Sequence, residues 1–272
     1  MNGKYPGDNE GKAQQLRTWL RGLEEQAQTV GSLPVLPRFV QTPTADTLTE
    51  ALRHAQFVPD MVMITCVPGI GKTTACEEYQ RTHSNVWMVT GLPSAASTHA
   101  LLERVCGVMG ITENSANRRT PAIIRRAIGS DGLLIIDEAQ QFGMPALEEL
   151  RGIHDQAKIG VAFVGNPFIH ARINGGRDKL AQLSSRVGMR VNRTRALATD
   201  VNMLLDAACV TGREERELLR AEANRAGGLR NLAKVHRVAS IFATAEGGPI
   251  TAEHIRRASA RLRDAAQAPE GL

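Results

Sequence analysis

A short glycine-rich segment has the residue types needed to hold a nucleotide phosphate. It directly follows an apolar run, and a helical sequence follows it. Gly69 and Gly71 let the backbone turn its N–H groups toward a phosphate, and Lys72 can reach the β and γ phosphates. Thr73 would offer its hydroxyl to Mg²⁺. The segment therefore predicts a site for ATP and Mg²⁺, made of Pro68, Gly69, Ile70, Gly71, Lys72, Thr73 and Thr74.

The motif departs from the usual pattern at its first position, where Cys66 replaces glycine. The N–H groups that face the phosphate lie nearer the helix, so we expect the Gly-Lys-Thr end to matter more. A chance glycine-rich turn is the alternative interpretation. The order of strand, loop and helix disfavours it.

Two adjacent carboxylates follow a second buried apolar run, at 133–136. Beside the phosphate loop, Asp137 would hold Mg²⁺ through its water shell, and Glu138 would polarise the attacking water as general base. Exposed acidic residues at a strand end are the alternative. The position of the pair, with another strand and helices between it and the loop, favours the catalytic interpretation.

A third apolar run ends on a polar residue, Asn166. Its amide would stand between the phosphate loop and Glu138, where it could hydrogen-bond the γ-phosphate or orient the water. The alternative is structural, because asparagine often caps a helix and one could begin near Pro167. Both roles stay open.

The elements that must position these residues follow from the apolar runs. Runs suited to buried strands occur at 61–66, 86–90, 133–136, 159–164 and 187–191. Helical sequences between them predict a parallel five-stranded sheet flanked by helices. After residue 199 four helices are expected, at 199–210, 213–225, 229–244 and 251–266. The last has half a capping box, with Thr251 as cap but His254 where Glu or Gln is usual.

Four parts are therefore expected along the chain. Residues 1–37 form a polar arm or linker with one helix, and 38–198 an α/β nucleotide-binding core. Residues 199–266 form a small all-helical lid domain, and 267–272 a tail.

Composition narrows the function class. With 272 residues, 42% of them hydrophobic, the chain can bury a sizeable core. It contains neither an apolar run long enough for a membrane span nor a secretory signal, so we expect a cytoplasmic protein without a membrane partner. Its widely spaced cysteines predict no zinc site or disulfide framework. They are expected as small core residues: Cys66, Cys76, Cys106 and Cys209.

The net charge of +5 comes with clusters of arginine. This excess of positive charge favours a polyanionic partner, usually nucleic acid. The alternative is that the arginines lie on solvated helix faces. Aromatic residues make up only 4% of the chain. This argues against a stacking platform for single strands and favours a duplex backbone.

These motifs make the chain resemble the AAA+ superfamily, and within it the transposition ATPases: the B proteins of Mu-like transposing phages and the related TniB and TnsC proteins. The likeness covers most of the chain, about residues 38–262. Five segments carry it: Pro68-Gly-Ile-Gly-Lys-Thr-Thr74, Leu134-Ile-Ile-Asp-Glu-Ala-Gln140, Val164-Gly-Asn-Pro167, Leu183-Ser-Ser-Arg186 and Gly227-Gly-Leu-Arg230. It implies a P-loop AAA+ core with a C-terminal helical lid.

The resemblance implies two further site residues. Arg186 matches the arginine that reaches the ATP of a neighbouring subunit in such proteins, with Arg190 as second choice, so hydrolysis would depend on assembly. Arg230 matches the lid arginine that contacts the γ-phosphate of its own subunit and reports the nucleotide state to the lid. Ordinary surface arginines are the alternative for both.

The resemblance also implies an ATPase that oligomerises on double-stranded DNA, in filaments or rings with little sequence preference, and recruits and activates a transposase in a bacterial or phage-infected cell. The candidate DNA contacts are Arg118 and Arg119, expected in a polar loop between two core helices, and Arg177 and Lys179. Three alternatives stay open: a replication initiator or helicase loader, a secretion-associated ATPase, and a nucleotide-gated scaffold that hydrolyses little.

Overall fold

The computed structural model describes residues 9–31, 36–169, 183 and 185–267. Five parallel strands form one sheet in the order β2-β3-β4-β1-β5. Their carboxyl ends meet at one edge, which is where ligands bind in such sheets. The strands are β1 (Met61–Cys66), β2 (Val86–Thr90), β3 (Leu133–Asp137), β4 (Gly160–Gly165) and β5 (Val187–Arg193). The predicted parallel five-stranded sheet is confirmed.

Helices cover both faces of this sheet, because successive strand residues point to opposite sides. Val62 and Ile64 of β1 pack on one face, and Met61 and Met63 pack on the other. The helices of the N-terminal part and the core are α1 (Asn9–Gly31), α2 (Pro43–Phe57), α3 (Lys72–Thr82), α4 (Thr98–Val108), α5 (Ala116–Ala127) and α6 (Met144–Ala157). Helices α2 and α3 cover the first face, and α4, α5 and α6 cover the second. The central strands are therefore fully enclosed.

Helices follow the sheet and have an apolar core of their own. They are α7 (Ala198–Ala207), α8 (Arg213–Ala223), α9 (Gly228–Ala245) and α10 (Ala252–Gln267). Leu205, Leu219, Leu232 and Ile255 meet in their centre and are fully or almost fully buried. The predicted fold class, an α/β core with a helical C-terminal part, is confirmed.

The start of α10 has a more complete cap than the sequence indicated. The Thr251 hydroxyl oxygen accepts the backbone N–H of His254 at 3.4 Å, and His254 Nδ1 accepts the backbone N–H of Thr251 at 3.1 Å. An imidazole nitrogen thus takes the place of the glutamate or glutamine oxygen of a capping box. The expectation of half a box is wrong, because it counted only carboxylate and amide side chains.

A buried carboxylate ties the C-terminal helices to the core. Asp200, in the first turn of α7, accepts the backbone N–H groups of Thr44 and Leu197, each at 3.1 Å. It also accepts the hydroxyl of Thr44. Because a buried carboxylate needs several donors, these bonds fix α7 against the start of α2.

The cysteines divide into two groups. Cys66, Cys76 and Cys106 are buried, as expected for small core residues. Cys209 is exposed, so the expectation is wrong there; it lies in the turn after α7 with φ +55°. Among the described residues, no helix is both long and apolar enough to cross a membrane.

Candidate functional site

The phosphate loop runs from β1 into α3 through two left-handed glycines. Gly69 has φ +85° and Gly71 has φ +96°, a region that favours glycine. Gly71 directly precedes α3, so the free N–H groups of the first helical turn face the loop. Lys72 is buried, and its ammonium donates to the backbone oxygens of Cys66 at 3.0 Å and Val67 at 3.4 Å.

The cysteine at the first motif position is accommodated by the core. Cys66 is the last residue of β1, and its side chain packs with Val62 and Ile64 below the sheet. Burial raises the pKa of its thiol, although nearby Lys72 opposes the shift. The side chain points away from the loop interior, so this position does not need glycine.

The two residues predicted to hold Mg²⁺ are in contact. The Thr73 hydroxyl donates to Asp137 Oδ2 at 2.8 Å, and Asp137 Oδ1 accepts the backbone N–H of Glu138 at 2.9 Å. Burial raises the pKa of Asp137, while these two hydrogen bonds oppose the shift. Carboxylate, hydroxyl and phosphate oxygens are the ligands that Mg²⁺ prefers, so this pair fits the ion.

Glu138 lies on a sharp turn at the end of β3. Its backbone is left-handed, with φ +50° and ψ +40°. Gly91 makes room for the turn, because a Cβ atom there would lie 2.6 Å from the Glu138 carbonyl oxygen. The turn directs the half-buried Glu138 side chain toward the phosphate loop, and both line the same cavity.

Asn166 follows β4, as predicted, but its side-chain oxygen has a structural partner. Oδ1 accepts the backbone N–H of Phe168 at 3.0 Å, which caps the turn after the strand. This contact is the capping role that the sequence left open. A role of the remaining amide N–H groups toward the γ-phosphate stays a prediction.

The sequence did not single out the side chain of Gln140, although it lies in the second motif. Its amide N–H donates to the Glu138 carboxylate, and its Oε1 accepts the backbone N–H of Asn166 at 3.3 Å. One side chain thus joins the ends of β3 and β4. Three residues after the end of a strand, a glutamine gives no signal that distinguishes it from a surface residue.

A cavity of about 460 Å³ lies between the phosphate loop and the C-terminal helices. Residues 68–74 and Glu138 form one wall, and Leu204 and Arg230 are on the opposite wall. Residues 36–40 close a third side. The sequence analysis placed residues 36 and 37 in the N-terminal arm, because polar segments that contain proline are typical of linkers.

Arg230 reaches this cavity from the first turn of α9. Its backbone N–H donates to the Gly69 oxygen at 3.1 Å, so the helix start rests on the phosphate loop. The side chain is exposed and lines the cavity. The structure therefore brings Arg230 together with Lys72, Thr73, Asp137 and Glu138.

Arg186 lies away from this cavity. It precedes β5, and Val187 pairs with Met61 at the start of β1, whereas the phosphate loop follows the end of β1. A strand of this length spans roughly 20 Å. The exposed Arg186 guanidinium forms an ion pair with Asp155 at 3.6 Å. In this position it cannot contact the nucleotide of its own chain.

The candidate DNA contacts differ in their positions in the structure. Arg118 and Arg119 are not in a loop, since both belong to α5. Arg119 shares a buried face with Ile123 and Ala127, and its guanidinium contacts the His99 ring at 3.0 Å. The predicted loop is wrong, because the polar sequence around these arginines is helical. Arg119 lies on the face of α5 that packs against the core. Arg118 is exposed, and the candidates Arg177 and Lys179 lie outside the described residues.

Comparison with known proteins agrees with this geometry. An AAA domain model matches residues 55–173, and the model "Mu B transposition protein, C terminal" matches 185–262. The ATP-dependent target DNA activator B of Escherichia phage Mu is 36% identical over 268 residues, which cover 96% of this chain and 84% of that protein. The chain belongs to the Mu B transposition protein family.

Other relatives agree with membership of the Mu B family. The Mu-like prophage FluMu DNA transposition protein B of Haemophilus influenzae is 31% identical over 220 residues, 79% of this chain and 77% of that protein. Cdc6p from Pyrobaculum aerophilum has the same fold, with a TM-score of 0.64 at 15% identity over 83% of this chain and 69% of that one. This Mu B family member is thus an AAA ATPase, as predicted.

Proposed function

We propose that the chain is an ATP-dependent activator of target DNA, acting in the cytoplasm of a bacterial or phage-infected cell. It binds double-stranded DNA with little sequence preference in ATP-bound oligomers, and it recruits and activates a transposase. The contact between Thr73 and Asp137 beside the cavity carries the ATPase part, since it unites both nucleotide motifs. Family membership supports the DNA part, because relatives bear the name ATP-dependent target DNA activator B.

The residues around the cavity divide the work of hydrolysis. Lys72 and the N–H groups of the loop hold the phosphates, and Thr73 and Asp137 hold Mg²⁺. The ion, when bound, neutralises charge on the phosphate oxygens. Glu138 takes the proton of the attacking water. Arg230 contacts the γ-phosphate, so the C-terminal helices respond when that phosphate is lost.

Oligomerisation completes the site. Arg186 lies about one strand length from the cavity of its own chain, so it serves the ATP of a neighbouring subunit. A guanidinium supplied in trans stabilises the charge that develops on the transferred phosphoryl group. Assembly on DNA then controls hydrolysis.

The duplex is held through its phosphates. Arg118 is exposed on α5, a helix that contains four arginines and no acidic residue. Contacts of this kind carry no sequence information and weaken steeply with salt. The replication initiator and secretion alternatives are not favoured, because the relatives are named as transposition proteins or target DNA activators.

The proposal is tested by measuring the affinity of the protein for two duplexes of unrelated sequence. Fluorescence anisotropy reports the binding, with ATP, with ADP and without nucleotide. Glu138→Gln traps the ATP state, and Lys72→Ala serves as the nucleotide-free control. We expect equal affinity for both duplexes, and binding at least 10-fold tighter with ATP than with ADP. Equal binding in all nucleotide states, or a clear preference for one sequence, contradicts the proposal.

A further inference from the structure

Gln140 links the proposed general base to the next strand. Its amide N–H donates to the Glu138 carboxylate, and its Oε1 accepts the backbone N–H of Asn166 at 3.3 Å. The second bond fixes the orientation of the amide, because only its oxygen can accept that N–H. The nitrogen end must therefore face Glu138.

Two glycines provide the space for this arrangement. A Cβ atom on Gly165, the last residue of β4, would lie 2.4 Å from Gln140 Oε1. On the other side, a Cβ atom on Gly91 would lie 2.6 Å from the Glu138 carbonyl oxygen. Two small residues and one left-handed turn thus fix the glutamate and the glutamine relative to each other.

We propose that Gln140 is a positioning residue for ATP hydrolysis. It holds one oxygen of the Glu138 carboxylate, so that the other oxygen is directed at the attacking water. It also ties this orientation to the end of β4, beside Asn166. The inference rests on the proposed role of Glu138 as general base.

An isosteric pair of substitutions separates this role from simple packing. Gln140→Glu keeps the shape and can still accept the Asn166 N–H, but it replaces the donor to Glu138 with a second carboxylate. Gln140→Met keeps the length and removes both hydrogen bonds. Gln141→Glu is the matched control, since it adds the same charge one residue along the chain.

Other charged groups stand near the carboxylate pair. Asp137 precedes Glu138 and accepts its backbone N–H, Lys72 lies on α3, and Arg38 and Arg230 line the same cavity. All four are unchanged in the variants. A difference in pH profile between wild type and Gln140→Glu therefore reports on position 140.

The measurements are single-turnover hydrolysis of ATP without DNA, across pH, and binding of a fluorescent ATP analogue. We expect Gln140→Met to lower the rate about 10-fold, less than the roughly 10²–10⁴-fold that general base catalysis itself contributes, because Glu138 is still present. Gln140→Glu should lower it further at neutral pH, and its acid limb should move to higher pH, because adjacent carboxylates retain a proton more tightly. Nucleotide affinity should stay within twofold for both variants.

Three results overturn the inference. One is a wild-type rate and pH profile in Gln140→Glu, and another is an equal effect of Gln141→Glu. The third is a loss of nucleotide affinity or thermal stability that accounts for the lower rate. Glu138→Gln tests the assumption that Glu138 is the general base. Unchanged hydrolysis in that variant would show that Glu138 is not the base, and Gln140 would then have no base to position. A chain that hydrolyses ATP normally but binds no duplex contradicts the proposed DNA function and leaves this inference standing.

Discussion

The carbonyl oxygen of Gly227 occupies the space in which any residue other than glycine at position 69 would carry its side chain. A Cβ atom on Gly69 would lie 1.8 Å from that oxygen. The Gly69 oxygen in turn accepts the backbone N–H of Arg230 at 3.1 Å. The phosphate loop and the start of α9 therefore meet through backbone atoms. Any shift of the loop would therefore act directly on the start of the helix that carries Arg230.

Gly69→Ala should separate these two elements. The new methyl group meets backbone rather than a movable side chain, so we expect nucleotide affinity to fall at least 10-fold. The free energy of unfolding should fall by about 1–3 kcal/mol beyond the cost of backbone strain. Gly129→Ala is the matched control, because Gly129 has φ +69° and nothing within 4 Å of its Cβ position. If urea unfolding shows an equal loss of the free energy of unfolding in the two variants, the contact with Gly227 contributes nothing to stability.

Asp137→Asn should stabilise the nucleotide-free protein while abolishing hydrolysis. Burial raises the pKa of Asp137 above its ordinary value of 3.8, so the folded protein keeps a proton that the unfolded chain has lost. The free energy of unfolding of the wild type therefore falls as pH rises from 3.8 through the raised value, and it is constant above that. The neutral amide of an asparagine avoids the cost of burying a charged carboxylate, and it can keep the hydrogen bond with Thr73.

The measurement is thermal unfolding of both proteins between pH 4 and pH 8. The melting temperature of Asp137→Asn should exceed that of the wild type, and the excess should grow with pH before it levels off. Asp131→Asn, at an exposed position, is the control. An excess that is independent of pH, or a lower melting temperature for Asp137→Asn, would contradict this explanation.

Arg186→Ala should lose hydrolysis without losing nucleotide binding, since Arg186 cannot reach its own cavity. We expect the hydrolysis rate to fall about 10³-fold, the lower end for arginines supplied in trans. Mixing this variant with Glu138→Gln provides the decisive comparison. Arg186→Ala retains an intact cavity, and Glu138→Gln retains the arginine, so mixed oligomers should recover part of the activity. A mixture no more active than its two components rules out a role in trans. Arg190→Ala can be tested in the same way.

Arg118→Ala should weaken duplex binding equally for unrelated sequences. Loss of one phosphate contact reduces the slope of log affinity against log salt by about 1. Arg81→Ala is the control, because Arg81 is also exposed on a helix but pairs with Glu78. An unchanged salt slope in Arg118→Ala would remove α5 from the DNA interface.

The sequence predicted the strands and the two nucleotide motifs because their signals are local. A buried parallel strand is a continuous apolar run, and the phosphate loop needs its residues in fixed order. The five predicted strands occur within two residues of their expected ends. The carboxyl ends of parallel strands share one edge, so the meeting of Thr73 with Asp137 also followed from the pattern.

Features that depend on packing across the chain could not be predicted. Arg119 looks like any arginine of a basic cluster, and its burial results from the face that α5 turns toward α4 and α6. The pairing of Gln140 with Asn166 needs the register of β3 and β4, and the contact of Gly69 with Gly227 needs the position of α9. His254 completed a cap through chemistry that a search for Glu or Gln passes over.

Electron microscopy of Glu138→Gln mixed with random-sequence duplex DNA tests the central claim most directly. With ATP and Mg²⁺, the protein should coat the duplex as ordered filaments or rings, and replacing ATP with ADP should remove them. Lys72→Ala should form none in any condition, because it lacks the ammonium that holds the phosphates. Protein-free duplex in every nucleotide state would contradict the claim that ATP binding assembles this chain on target DNA.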